Sequence, residues 1–101
     1  MNWKIIKIIP QEKGSNLTIK DAFNKIFEQD HLLKEELGEG YYEEEISDFI
    51  ILHDIPCQQK CGMQQAHLRR QYVSSDNNRQ ALEVRCLCCH EENIVIREYA
   101  P

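Results

Sequence analysis

Apolar positions first organise at Trp3 to Ile9, a β-branched run closed by Pro10, which predicts a strand with the proline as its stop. "QEKGSN" then reads as a loop. A helix follows. Thr18 has an N-capping side chain and Asp21 stands three residues later, the capping-box position. From there Ile19, Ala22, Phe23, Ile26, Leu33 and Leu37 recur on one face at helical spacing. Asp30 interrupts that face, either as a solvated break or as the cap of a second short helix from His31. Gly38 and Gly40 end the helical region. In "YYEEEISDFIILHDIP" Glu43, Glu44 and Glu45 suit a helix start, while the compact apolar run favours a buried strand over Ile46–His53, a mate for the Trp3–Ile9 strand.

The second half alternates. Ala66, Leu68, Arg70 and Tyr72 fall on one side of a strand over Gln64–Val73, and His67, Arg69, Gln71 and Val73 on the other. "SSDNN", Ser74–Asn78, is a turn composition. Alternation resumes over Gln80–Leu87, with Leu82, Val84 and Cys86 on one side, and a third apolar run covers Ile94–Ile96. Short strands joined by turns predict a small antiparallel sheet, so the fold class is α+β.

Charge divides the chain. Residues 1–56 hold six lysines against twelve acids, whereas residues 57–101 hold Lys60 and five arginines against five acids. A net charge of −5 argues against coating of nucleic acid by the whole protein. The arginine-bearing half can still meet phosphate. "MNWKIIKIIP" carries lysines inside a run too short for a secretory core, and no stretch reaches transmembrane length. A cytoplasmic protein is expected, or a nuclear one in a eukaryotic or viral setting. In that reducing setting five cysteines, an odd number, point to metal binding or redox chemistry rather than a disulfide framework.

Those cysteines fall in two clusters. "CQQKCG" holds Cys57 and Cys61, with Gly62 directly after; "CLCCH" holds Cys86, Cys88, Cys89 and His90. Zinc takes four soft or borderline ligands at a tetrahedral centre, and a close pair at each end of a hairpin supplies them. The pairs Cys57-x3-Cys61 and Cys86-x2-Cys89 flank the two alternating strands. Cys88 and His90 are alternative fourth ligands. Four cysteines also suit an iron–sulfur cluster, and the bland alternative is a set of buried, inert thiols. Cys88, considered alone, is expected to be a packing residue.

With a knuckle, a hairpin, a second knuckle and the closing strand "NIVIREY", residues 55–99 resemble the zinc-ribbon superfamily. The resemblance implies a structural Zn2+ held by Cys57, Cys61, Cys86 and Cys89. It divides the chain into an acidic α/β portion, residues 1–54, and a zinc-ribbon portion, residues 55–101, able to pack as one domain. Ribbons of transcript-cleavage factors place paired acids at the hairpin tip; here Asp76 is followed by Asn77, which leaves docking onto transcription machinery as the nearer expectation.

Enzymatic motifs are missing. There is no P-loop, dinucleotide fingerprint or nucleophile elbow, and His53-Asp54 ahead of Pro56-Cys57 does not match the deaminase spacing. The expectation is a non-catalytic, zinc-stabilised adaptor or regulator of a larger protein partner. Its rival is a nucleic-acid-binding ribbon using Arg69, Arg70, Tyr72, Arg79 and Arg85, where guanidinium forks meet phosphate and an aromatic stacks on a base. A third class is a thiol-redox protein using Cys88 with Cys86 or Cys89. Leu87, Cys89 and Glu91 match Leu-x-Cys-x-Glu, which resembles a pocket-protein-binding motif; that motif works as a free strand, so the match reads as chance.

Overall fold

The computed structural model describes residues 2–11, 18–57, 61 and 64–100. Most of the expected "QEKGSN" loop, and Gly62 with its expected turn, lie outside them. Six strands and one helix follow in the order β1 (Asn2–Pro10), α1 (Ile19–Leu37), β2 (Tyr42–Glu44), β3 (Ile50–His53), β4 (Gln65–Val73), β5 (Arg79–Cys86) and β6 (Glu92–Ala100). The expected α+β class is observed. All strand pairs are antiparallel, in the order β1-β6-β5-β4, with β2 and β3 both on the outer side of β4. The sheet therefore draws β1–β3 from the acidic portion and β4–β6 from the cysteine-bearing one.

Two cores sit on the two faces. Under α1 lie Leu33, Leu37, Tyr72, Ala81, Ile94 and Ile96, with Ile9, Leu32 and Tyr41 at the margin. On the other face Ile55, Ala66, Leu68, Leu82, Val84 and Val95 pack with Ile5, Ile8, Ile46, Ile50 and Leu52. Burying each large aliphatic side chain here stabilises by about 1.5–3 kcal/mol. Both faces of β5 and β6 are covered, which is why Ala81, Leu82, Val95 and Ile96 are wholly buried in successive positions.

Three expectations need correction. The strand expected over Ile46–His53 is confined to Ile50–His53 and pairs with β4, not with the first strand, because β6 occupies the inner side of β1. It is also an edge: Phe49 and Ile51 are exposed. The simple alternation of Gln64–Val73 breaks where the register slips between Leu68 and Arg70. This bulge transfers Tyr72 to the helix-bearing face while Leu68 stays on the opposite one. Finally, α1 does not bury its expected apolar face. Only Leu33 and Leu37 are buried, while Ile19, Phe23, Ile26 and Phe27 are exposed.

The start of α1 follows its sequence. Thr18 accepts from the Asp21 N–H at 3.1 Å and the Asp21 carboxylate accepts from the Thr18 N–H at 3.4 Å. The helix runs through Asp30 unbroken, since that carboxylate bonds outward to the Tyr41 hydroxyl and to Lys34 one turn on. Those two partners hold Asp30 below the usual carboxylate range, Tyr41 first. The same contact, with some burial, pushes Tyr41 up to about 12. Gly38, at φ 89°, closes the helix with its N–H on the Lys34 carbonyl.

Candidate metal centre

The two cysteine clusters meet at one end of the β4–β5 hairpin because each is anchored to a strand end. Before β4, Asp54 turns the chain with φ 64°, and the buried Ile55 donates its N–H to the Gln64 carbonyl at 3.3 Å. That bond closes the loop carrying Cys57 and Cys61. After β5, the Leu87 N–H reaches the Gln65 carbonyl and prolongs the ladder by one step. The knuckle then folds back: the Cys86 N–H donates to the Glu91 carbonyl at 2.9 Å, and the His90 N–H to the Cys86 carbonyl at 3.1 Å.

The Sγ atoms of Cys57, Cys61, Cys86 and Cys89 all lie within 4.8 Å of one another. The closest approaches cross between the clusters, Cys57 to Cys89 and Cys61 to Cys86, each at 3.4 Å. A disulfide needs sulfurs about 2.05 Å apart, so neither pair is a disulfide. A tetrahedral ion at about 2.3 Å from each sulfur would set them roughly 3.8 Å apart. Both observed approaches and the overall span fit a single ion, so the cluster is able to hold a metal.

With no cation among them, the surroundings oppose charge on these sulfurs. Cys86 is buried, and Cys57, Cys61 and Cys89 are half-buried. The Glu91 N–H donates to Cys89 and draws its pKa down, but desolvation and the Cys86 and Cys61 sulfurs leave it above the ordinary value. Crowded thiols resist losing several protons together; a cation among them removes that resistance.

Of the two alternative ligands, neither joins the group of four. His90 is exposed and has φ 63°, a left-handed conformation that the knuckle needs to turn back. Its place in the turn is thus a backbone role. Cys88 is exposed, which corrects the expectation of a packing residue. Its thiol lies beside Cys61, whose charge and hydrogen bond push it up.

The hairpin arginines spread along β4 and β5 and are engaged within the chain. Arg69 and Arg85 both hold Glu92, at 2.8 and 3.2 Å. Arg79 donates to the Glu36 carbonyl at 2.8 Å and lies 3.7 Å from Glu98, tying the end of α1 to the sheet. Arg70 donates to the Tyr72 hydroxyl and is held charged by it and by Glu83. The Tyr72 ring is buried under α1. At the hairpin tip Asp76 accepts from the Ser74 hydroxyl at 2.6 Å and the Asn78 N–H at 3.1 Å, and these hold it below its usual range.

Reading the sequence missed the residues that aim the thiols. Asp54, Gln64, Gln65 and Glu91 act through backbone groups, which residue type does not reveal. Among the described residues, no helix is long and apolar enough to cross a membrane. Comparison with known proteins found no matching family model, no matching curated protein and no matching solved structure.

Proposed function

We propose that this protein is a non-catalytic, zinc-stabilised adaptor or regulator that docks on a larger protein partner, with transcription machinery as one class of host. The observation that carries the reading is the closed set of four sulfurs around one small volume. A shell of four cysteines leaves zinc no position for water, so the ion contributes folding energy rather than Lewis-acid chemistry. Cys57 and Cys61 would hold it from the β4 side and Cys86 and Cys89 from the β5 side. The compact span favours one ion over a multi-iron cluster, and the ribbon-like hairpin favours zinc.

Two further features support docking over catalysis. Glu92, the acid nearest the knuckle in β6, is bound between Arg69 and Arg85 and is not free to act as a base. Phe23, Ile26 and Phe27 on α1, and separately Phe49 beside β3, are exposed apolar side chains of the kind that protein partners cover. A nucleic-acid ribbon would instead need Arg69 and Arg85 released from Glu92.

Elemental analysis of purified protein tests the reading. One zinc per chain is expected, lost in Cys57→Ser and Cys89→Ser and kept in Cys88→Ser. Substoichiometric zinc, or loss in Cys88→Ser alone, would overturn the ligand set. Salt-sensitive RNA or DNA binding abolished by Arg69→Ala with Arg85→Ala would replace the adaptor reading with the nucleic-acid one.

A further inference from the structure

The two edges of the sheet are built differently. β1 is guarded: it carries Lys4 and Lys7, ends in Pro10, and is bulged between Ile5 and Lys7. These are the devices by which natural edges avoid pairing with other chains. On the opposite side, the four-residue β3 has no lysine, proline or bulge. From Asp48 to Asp54 the chain reads Asp-Phe-Ile-Ile-Leu-His-Asp, without lysine, arginine or proline. Among the described residues, β3 pairs only with β4, so its outer N–H and C=O groups face outward.

The side chains of this edge are presented on both faces. Phe49 is 70% exposed and lies flat on His67, with ring centroids 4.2 Å apart. Ile51, opposite His67 in the register, is 38% exposed beside it. Ile50 and Leu52 turn to the other face and rest on the core there. An added strand would find apolar neighbours above and below, at the two-residue period a strand supplies.

Charge says which strand. Residues Tyr41 to Pro56, which include β2 and β3, contain five acids, Glu43, Glu44, Glu45, Asp48 and Asp54, and no lysine or arginine. A second copy would bring the same acids against them, and like charges along a strand pair oppose association. We infer that the β3 edge receives an extended segment of a partner protein, apolar at alternate positions and flanked by lysine or arginine, which adds as a further strand to the sheet. Main-chain hydrogen bonds would supply affinity, while Phe49, Ile51 and the flanking acids would select the sequence. This rests on the adaptor reading and gives that adaptor a docking edge and a partner chemistry.

The test uses the full zinc-loaded chain. A random 12-residue peptide display library is panned on it, and synthetic peptides from the recovered clones are followed by hydrogen exchange. Clones should carry basic flanks around alternating apolar residues, and their peptides should protect the amides of Ile50–His53. Binding should weaken at least about tenfold in both Ile51→Lys and Phe49→Lys, since an edge lysine blocks strand addition. Both positions are exposed, so unchanged circular dichroism separates lost binding from lost folding. Acidic clones, or peptides that protect residues 19–27 instead, would overturn the docking edge and leave the adaptor reading standing. A wild-type dimer in sedimentation that Ile51→Lys dissolves would overturn the choice of partner. A library yielding no binder would overturn the docking edge, while the adaptor reading stands or falls on the zinc measurement.

Discussion

The β4–β5 hairpin is closed at both ends, by different physics. At the tip, Ser74 to Asn78 close the turn with their own groups. The Ser74 N–H reaches the Arg79 carbonyl, the Ser74 hydroxyl takes the Arg79 N–H, and Asp76 gathers the Ser74 hydroxyl and the Asn78 N–H. At the other end four sulfurs face one another with 3.4 Å between nearest pairs. The tip is local and complete without help. The thiol end joins residues separated by 25 and 32 positions, and in the proposed reading a zinc ion offsets the sulfur crowding there. A local turn loses little entropy on closing; a long-range clamp loses more, which binding of the proposed ion would offset.

On the proposed zinc reading, removing the ion should give the largest effect. A chelator, or Cys86→Ser, should melt the knuckles and lower the thermal midpoint by more than any single substitution at the tip. Domains of this size hold only about 5–15 kcal/mol in total, and structural zinc supplies a comparable amount. Thermal melts with and without chelator measure this, and equal midpoints would erase the contrast between the two ends.

Next comes Ser74→Ala. Ser74 is buried and its hydroxyl serves two partners, so its loss should cost about 1–2 kcal/mol in denaturant unfolding. Zinc content should not change. A drop in zinc would mean that the two ends are coupled through the hairpin.

Smaller still is His90→Gly. Glycine adopts the left-handed conformation without the cost a side chain carries, so stability should hold or rise by about 1 kcal/mol, with one zinc retained. Loss of zinc would return His90 to the ligand shell.

The smallest effect lies away from both ends, at the Asp30–Tyr41 contact. A tyrosine held up to about 12 by a carboxylate contributes stability that is whole below the ordinary value of about 10 and is lost as pH rises through 12. Phenolate absorbance during alkaline titration should show a late-ionising tyrosine that Tyr41→Phe removes. Asp30 works in the opposite direction: its lowered pKa favours the folded state above the ordinary aspartate range, and that contribution disappears on acidification.

Much of this architecture was legible in residue order. The capping box at Thr18 and Asp21, the glycine stop at Gly38 and the turn at Ser74–Asn78 depend on groups within a few residues of one another. So did the suspicion that Cys57, Cys61, Cys86 and Cys89 belong together, because the strands between them fold back on a local turn. Helix burial was less legible. Ile19, Phe23 and Ile26 have the spacing of a core face, but α1 meets the sheet through Leu33 and Leu37, and Lys25 and Gln29 take the inward positions nearer its start. Periodicity marks an apolar stripe without saying what lies against it.

The chain's local chemistry therefore settled the strands β1, β4, β5 and β6, though not β2, whose glutamates suit a helix start, and settled where α1 starts and stops and which residues offer sulfur. Tertiary structure decided the rest: that β3 joins β4 while β6 takes β1, that a bulge near Arg69 sends Tyr72 beneath α1, that Cys57 faces Cys89, and that His90 spends its backbone on a turn. The physical reason is range. Caps and turns balance their hydrogen bonds within a few residues, whereas strand order and sulfur geometry depend on which distant surfaces exclude water from each other.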